Sequence, residues 1–158
     1  MTTINNYFFS LLSRREYSAY ELLKKGREKG FEETEIAEAI NELQAKDYQS
    51  DARLVASLIN SYQGKYGKAV IKRKSLEKGI PADVFEEVWS SQMLETEGGE
   101  TGDLAKLKAK IMKKYHIADF QHIEPKTKAN ILNYLRYRGF NAFEVLQQWQ
   151  QEEEYNFD

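Results

Sequence analysis

The feature that most constrains this chain is a short pattern that occurs three times. Each copy has an aliphatic residue, then Lys or Arg seven positions later, then glycine and a large apolar residue. The copies end in Lys29-Gly30-Phe31, Lys78-Gly79-Ile80 and Arg138-Gly139-Phe140. Glycine adopts the left-handed conformation after a helix without steric cost, and the apolar residue that follows packs back on that helix. Each copy therefore predicts a helix, a tight stop and a further helix.

Apolar residues keep the same register after each glycine. The sixth residue is Ile36, Phe85 or Val145, and the tenth is Ile40, Trp89 or Trp149. These offsets put one apolar stripe on the second helix of each pair, so we expect both tryptophans in the core. With one more helix before each pair, the pattern predicts an all-α fold, a tandem array of three three-helix units at about residues 1–49, 50–97 and 103–158.

A change of composition separates the third unit from the second. Residues 96–102 contain three glycines and two glutamates and no large apolar residue, which is typical of a flexible joint. We expect one elongated domain over residues 1–158 with a joint at 96–102. On this interpretation, a chain ending at Glu97 stays folded.

Composition narrows the class of protein. Of the 158 residues, 41% are hydrophobic and 30% are charged, which favours a thin body with much exposed surface. There is no cysteine, no apolar run long enough to span a bilayer and no positively charged leader, so we predict a cytoplasmic protein. The net charge of -2 argues against a dedicated nucleic-acid binder.

Catalysis has little support in the sequence. The two histidines, His116 and His122, are separated by five residues in a predicted connection, a spacing that does not put both on one helical face. Gly98 and Gly99 lack the lysine and the preceding strand of a phosphate-binding loop. We therefore predict a non-enzyme with no catalytic residues, no metal site and no cofactor.

Basic residues concentrate in the middle helices and in the first helix of the third unit. Lys65, Lys68 and Lys72 have helical spacings of three and four, so we expect them on one face. Tyr137 lies between two arginines, on the side of its helix opposite the apolar residues. Two readings stay open: these groups solvate an outer face, or they bind a partner. The candidate binding residues are Lys65, Lys68, Lys72, Arg73, Lys126, Arg136, Tyr137 and Arg138.

Residues 11–80 resemble the RecX family of bacterial RecA regulators. The resemblance rests on the first two glycine stops and on Arg15, Ser18, Glu21, Leu22, Asp51, Arg53, Tyr66-Gly67 and Leu76. Residues 135–149 resemble the third repeat of the same family through Arg138-Gly139-Phe140. Two positions depart from the family pattern: Leu54 stands where Phe is usual, and Gly26 interrupts a helix at a cost of about 1 kcal/mol.

The resemblance implies a fold and a function. The fold is a curved rod of tandem three-helix units, each similar to a helix-turn-helix module. The function is binding, as a monomer, in the groove of the RecA filament on single-stranded DNA, with inhibition of filament growth, ATP hydrolysis, strand exchange and coprotease activity. A direct DNA-binding helical module is the alternative, which predicts binding without RecA and a steep loss of affinity with salt.

Overall fold

The computed structural model describes residues 3–95 and 101–156. Within these ranges the backbone forms nine α-helices and no β-strand, which confirms the predicted all-α class. The helices are α1 (Ile4–Leu12), α2 (Ala19–Lys29), α3 (Glu33–Ala45), α4 (Asp51–Tyr62), α5 (Lys68–Glu77), α6 (Ala82–Glu95), α7 (Thr101–Tyr115), α8 (Pro125–Tyr137) and α9 (Ala142–Asn156).

Only the end of the predicted joint at 96–102 lies within the described residues. Residues 96–100 lie outside the described residues, but the last two joint residues begin α7, two positions before the predicted start at Asp103. Glycine in a helix costs about 1 kcal/mol, which does not prevent Gly102 from joining a helix of 15 residues. The predicted connection that contains both histidines is found between α7 and α8, from His116 to Glu124.

The fold divides into two compact units. The first contains Met1–Asn60 and Lys72–Gln92, and the second contains Ser61–Ile71 and Met93–Asp158. The three repeat boundaries read from the sequence stay a prediction. The second compact unit contains the turn between α4 and α5 together with the helices of the third repeat.

The core of the first unit shows why Gly26 is tolerated. Phe8, Leu22 and Ile36 are fully buried among α1, α2 and α3. A Cβ atom at Gly26 would lie 2.8 Å from Cγ1 of Ile36, inside van der Waals contact. The missing side chain therefore lets α2 approach α3 closely, and this packing offsets the helix-propensity cost of the glycine.

A buried hydroxyl organises the start of α2. The Ser18 Oγ accepts the Glu21 backbone N–H at 3.0 Å and donates to the Lys78 carbonyl at 2.6 Å, while the Glu21 carboxylate accepts the Ser18 N–H. Ser18 and Glu21 thus form a capping box at the start of α2. Burial alone raises the pKa of Glu21, but the Ser18 N–H, Arg15 and Lys78 outweigh it and leave the pKa below its usual range. This stabilisation is present at neutral pH and is lost as pH falls through the lowered pKa.

The second unit has its own core. Leu107, Ile111, Ile131 and Leu135 are buried beside Trp149, whose ring centroid lies 5.1 Å from that of Phe120. The two tryptophans are both buried, as the repeat register predicts, with Trp89 in the first unit and Trp149 in the second.

In the second unit, two glycines that are distant in sequence, Gly67 and Gly139, lie close together. The Gly67 N–H donates to the Arg138 carbonyl at 2.7 Å, at the end of α8. A Cβ atom at Gly67 would lie 2.5 Å from the Gly139 carbonyl oxygen, and one at Gly139 would lie 2.6 Å from Cγ2 of Val70. Two chain segments therefore meet backbone to backbone, which only glycine permits at this distance.

All three repeat glycines end their helices in the same way. Their φ angles are +92° at Gly30, +77° at Gly79 and +87° at Gly139, which confirms the predicted left-handed conformation. In each case the next residue's N–H bonds the carbonyl five positions earlier, as Phe31 does to Gly26 at 3.1 Å. The corresponding bonds are Ile80 to Ser75 and Phe140 to Leu135.

Two further helices use this stop without glycine. Asp47 after α3 has φ +63° and His116 after α7 has φ +54°. The following residues, Tyr48 and Ile117, again bond the carbonyl five positions earlier. These stops were not predicted because neither sequence position carries the glycine that marks the other three.

We predict that alanine at Gly79 destabilises the fold more than alanine at Gly30. Both variants place a Cβ in the left-handed region, which costs about 1 to 2 kcal/mol. At Gly79 the new Cβ would also overlap the Tyr20 ring, whereas nothing lies within 4 Å of that at Gly30. Thermal unfolding followed by circular dichroism should give a lower midpoint for Gly79→Ala. Equal midpoints would show that Tyr20 moves aside freely.

We also predict that residues beyond Glu97 stabilise the α4–α5 turn, contrary to the expectation from the joint. A chain ending at Glu97 loses the Arg138 carbonyl that Gly67 bonds and the Gly139 backbone that Val70 contacts. Hydrogen exchange should therefore be faster at residues 61–71 in the truncated chain than in the full chain. Unchanged exchange there would contradict this, and residues around Ser18 serve as the internal control.

Candidate partner-binding surfaces

The basic residues before and within α5 do not share one helical face. Lys65 lies in the turn between α4 and α5, because α5 begins only at Lys68. Gly64, with φ +82°, interrupts the helical spacing on which the prediction for Lys65 depended. That part of the prediction is wrong, and only Lys68 and Lys72 are one turn apart on a common helix.

Two of the candidate basic residues on α5 are paired with carboxylates. The Lys72 Nζ lies 2.7 Å from Oε1 of Glu86 on α6, and both side chains are partly exposed. Arg73 faces Glu77 on its own helix, with 3.8 Å between Nε and Oε1. Surface pairs of this kind contribute about 0.2 to 1 kcal/mol, so a partner's charges can replace them. Lys65 is exposed, and Lys68 is half-buried.

The second group of candidates lies on α8. Lys126 is exposed on the first turn, and Arg136 and Tyr137 are exposed on the last. Tyr137 is 86% exposed, the largest value among the exposed large apolar side chains of the described residues. Its outward orientation confirms that it lies away from the apolar side of α8.

Phe143 is a residue that the sequence analysis missed. It lies near the start of α9, is 60% exposed, and its ring centroid is 5.0 Å from the guanidinium carbon of Arg136. Its position, four residues after Gly139, falls outside the apolar offsets of six and ten. A large aromatic residue outside the core offsets is the signal by which Phe143 could have been found.

Arg138 is built into the second unit. Its Nη1 donates to the Lys65 carbonyl at 2.8 Å, and its guanidinium carbon lies 4.8 Å from the Tyr134 ring centroid and 5.6 Å from that of Tyr66. The side chain is half-buried. Arg138 therefore stabilises the α4–α5 turn, unlike its exposed neighbours Arg136 and Tyr137, and a binding role for it stays a prediction.

A row of exposed lysines on α7 was grouped only generally with the basic helices. Lys106, Lys110 and Lys113 recur at spacings of four and three and are all exposed. Their neighbours are engaged within the unit: Lys108 lies 3.6 Å from Glu152, and Lys114 lies 4.4 Å from the Tyr134 ring centroid. The row offers a second basic surface for comparison with α8.

The histidines have structural surroundings. His116 is the left-handed residue after α7, and the backbone N–H of His122 donates to Asp119 at 2.9 Å. That bond is the main cause of the lowered pKa of Asp119. In the part of the chain that the structure describes, no group of three or more His, Cys, Asp or Glu residues could hold a metal ion. No helix there is long and apolar enough to cross a membrane.

Comparison with known proteins identifies relatives of this chain. Residues 6–43 match the family model "RecX, first three-helix domain". The chain is 36% identical over 141 residues to the Regulatory protein RecX of Haemophilus influenzae strain PittEE, covering 88% of both chains. It is 29% identical over 147 residues to the Regulatory protein RecX of Acinetobacter baylyi, covering 89% of this chain and 82% of the relative.

Solved structures agree on the fold. The crystal structure of RecX from Lactobacillus salivarius superposes with a TM-score of 0.79 at 22% identity, covering 96% of this chain and 95% of that one. A second crystal structure, of a regulatory protein RecX, gives a TM-score of 0.73 at 17% identity. It covers 94% of this chain and 71% of that one.

We predict that Lys72→Glu lowers the free energy of unfolding by about 0.5 to 1 kcal/mol, because it places a second carboxylate beside Glu86. Adding Glu86→Lys should restore part of that loss by re-forming the pair in reverse. Denaturant unfolding of the two single variants and the double variant measures the coupling. Additive effects would show that the pair contributes nothing. Arg73→Glu is the control: Arg73 follows Lys72 directly but faces Glu77, four residues further along α5, so Glu86→Lys should not restore its loss.

Proposed function

This chain belongs to the RecX family, and from that premise we propose that it binds the RecA filament on single-stranded DNA and inhibits it. The single observation that carries the proposal is the 36% identity to a Regulatory protein RecX across 88% of both chains. A role as a RecX-type regulatory protein follows from this relationship. The inhibition of filament extension, ATP hydrolysis, strand exchange and coprotease activity is the finer part of our proposal, and it would modulate recombination and DNA repair.

Repeated helical units suit the binding of a repeated partner. A filament presents the same surface many times, and a chain with several modest contact surfaces gains avidity when two of them bind at once. Lys65 and the half-buried Lys68 near the α4–α5 turn, and the exposed cations on α8, are candidates for two such contacts. In this proposal the chain acts as a cytoplasmic monomer, by binding, without catalysis or a cofactor.

The decisive experiment measures RecA ATP hydrolysis on single-stranded DNA while this protein is titrated in. We expect inhibition well below one molecule per RecA protomer, because blocking a growing filament end stops the addition of many protomers. Unchanged hydrolysis at equimolar protein would contradict the proposal. Binding to naked DNA as tight as binding to the RecA filament, with a steep salt dependence and no effect of RecA, would favour the direct DNA-binding alternative.

We predict that the double variant Lys65→Glu/Lys68→Glu inhibits RecA about tenfold less than the unmodified chain, equivalent to about 1.4 kcal/mol of binding. Reversing two cations near the α4–α5 turn removes attraction to an acidic partner surface and adds repulsion. The ATP hydrolysis titration gives the concentration for half inhibition, and circular dichroism checks helicity.

Lys110→Glu/Lys113→Glu is the matched control, because it changes the net charge by the same amount on α7. Equal inhibition by the Lys65/Lys68 variant would move the binding surface elsewhere. An equal loss in both variants would show that overall charge, and not this turn, controls binding.

A further inference from the structure

We propose that the exposed face of α8, together with Phe143, binds single-stranded DNA directly. Tyr137 and Phe143 stack on unpaired bases, and Lys126 and Arg136 contact the phosphates on either side. The inference deepens the proposed function, on which its biological setting rests, by naming the part of the filament that this surface contacts. The binding itself requires no RecA and is measured without it.

The composition of α8 is unusual within this acidic chain. The helix carries three cations and no acidic residue, while the whole chain has a net charge of -2. Ile131, Leu132 and Leu135 form its buried side. Its exposed side chains include Lys126, Lys128, Asn130, Asn133, Arg136 and Tyr137. This combination of cations and carboxamides, with no carboxylate on the helix itself, suits a nucleic-acid surface.

The repeat register shows that the aromatic residues are specific to the third repeat. Two positions before the repeat glycine, the first two repeats have Glu28 and Glu77, and the third has Tyr137. Four positions after the glycine, they have Thr34 and Asp83, and the third has Phe143. Helix packing does not require aromatic residues at these two positions, since polar residues occupy them in the other repeats. The substitutions therefore serve the surface of the third repeat.

The exposure of these rings favours a stacking role. Tyr137 is 86% exposed and Phe143 is 60% exposed, so neither contributes much to the core of the second unit. Arg136 already lies against the Phe143 ring, 5.0 Å from its centroid, which orders the ring and keeps a cation beside it. Exposed aromatic rings with an adjacent arginine are the usual means by which proteins bind single strands without sequence preference.

Unpaired bases fit this surface better than duplex DNA. In a duplex both faces of each base are covered by stacking, so exposed rings cannot reach them without disrupting the helix. A single strand leaves base faces available to Tyr137 and Phe143 and its phosphates available to Lys126 and Arg136. Neither Lys126 nor Arg136 forms an ion pair with any residue that the structure describes, so both charges are available.

The test is fluorescence anisotropy of a labelled oligo(dT) strand of about 20 nucleotides, with the full chain at low salt and no RecA. We expect measurable binding that Tyr137→Ala/Phe143→Ala weakens at least tenfold, since each stacked ring contributes substantially to single-strand affinity. Tyr137→Leu/Phe143→Leu keeps the apolar bulk without an aromatic face and should weaken binding similarly. Both residues are exposed, so helicity should be unchanged.

Phe9→Ala/Tyr48→Ala is the matched control. This second exposed Phe and Tyr pair, 45% and 51% exposed, lies in the first unit with its ring centroids 5.3 Å apart. We expect its removal to leave oligo(dT) binding unchanged. Lys126→Gln/Arg136→Gln should reduce the slope of log affinity against log salt, as expected for lost phosphate contacts.

Three results would overturn the inference: no binding of oligo(dT) at low salt, tighter binding of duplex DNA, or equal binding by the unmodified chain and both Tyr137/Phe143 variants. The RecA titration separates this outcome from the proposed function. Inhibition of RecA without binding of oligo(dT) refutes the DNA contact alone. Binding of oligo(dT) without any effect on RecA refutes the filament proposal but supports the inference that α8 binds single-stranded DNA.

Discussion

The left-handed stop after a helix is the constraint on which the rest of this structure depends. At Gly30, Gly79 and Gly139 a positive φ reverses the chain, and the next apolar residue closes a bond to the carbonyl five positions earlier. The following helix then starts in a fixed register, which places its apolar stripe on the core. The stops have different surroundings, however. Gly30 is open to solvent, Gly79 lies against Tyr20, and Gly139 lies against Val70. Conformation explains why all three are glycine, and packing explains why the last two have no alternative.

The residues that carry the family resemblance in the first unit form a structural network rather than a binding surface. Asp51 accepts the Ala19 N–H at 3.0 Å, and Arg53 pairs with Glu16 at 2.7 Å between Nε and Oε1. Ser18 bonds the Lys78 carbonyl, so the start of α2 is held by segments 32 and 60 residues away in sequence. Such a network fixes how the first helices pack on α4 and the end of α5. A family signature of this kind identifies the fold strongly and says little about the partner, so the partner surface has to be sought among exposed residues.

The sequence predicted the helices well because both of its signals are local. Apolar spacing and glycine stops need only neighbouring residues, and they located the three helix ends at Gly30, Gly79 and Gly139 and the buried tryptophans. Contacts over long sequence distances were beyond these signals. The approach of Gly67 to Gly139 and the bond of Arg138 to the Lys65 carbonyl join segments more than 70 residues apart. Neither has a periodic pattern, so Arg138 was grouped with exposed cations although its side chain is half-buried.

The predicted basic residues differ in their partners in the structure, which a count of charges in the sequence does not reveal. Lys72 and Arg73 have carboxylate partners, and Arg138 is engaged with a carbonyl and two rings. The candidate basic residues chosen from the sequence therefore differ in how available they are to bind a partner. On α8 the absence of any acidic residue leaves the exposed cations unneutralised within their own helix. Availability for a polyanion depends on the carboxylates that lie nearby, and by that criterion the α8 face is better suited than the α5 face to bind a polyanion.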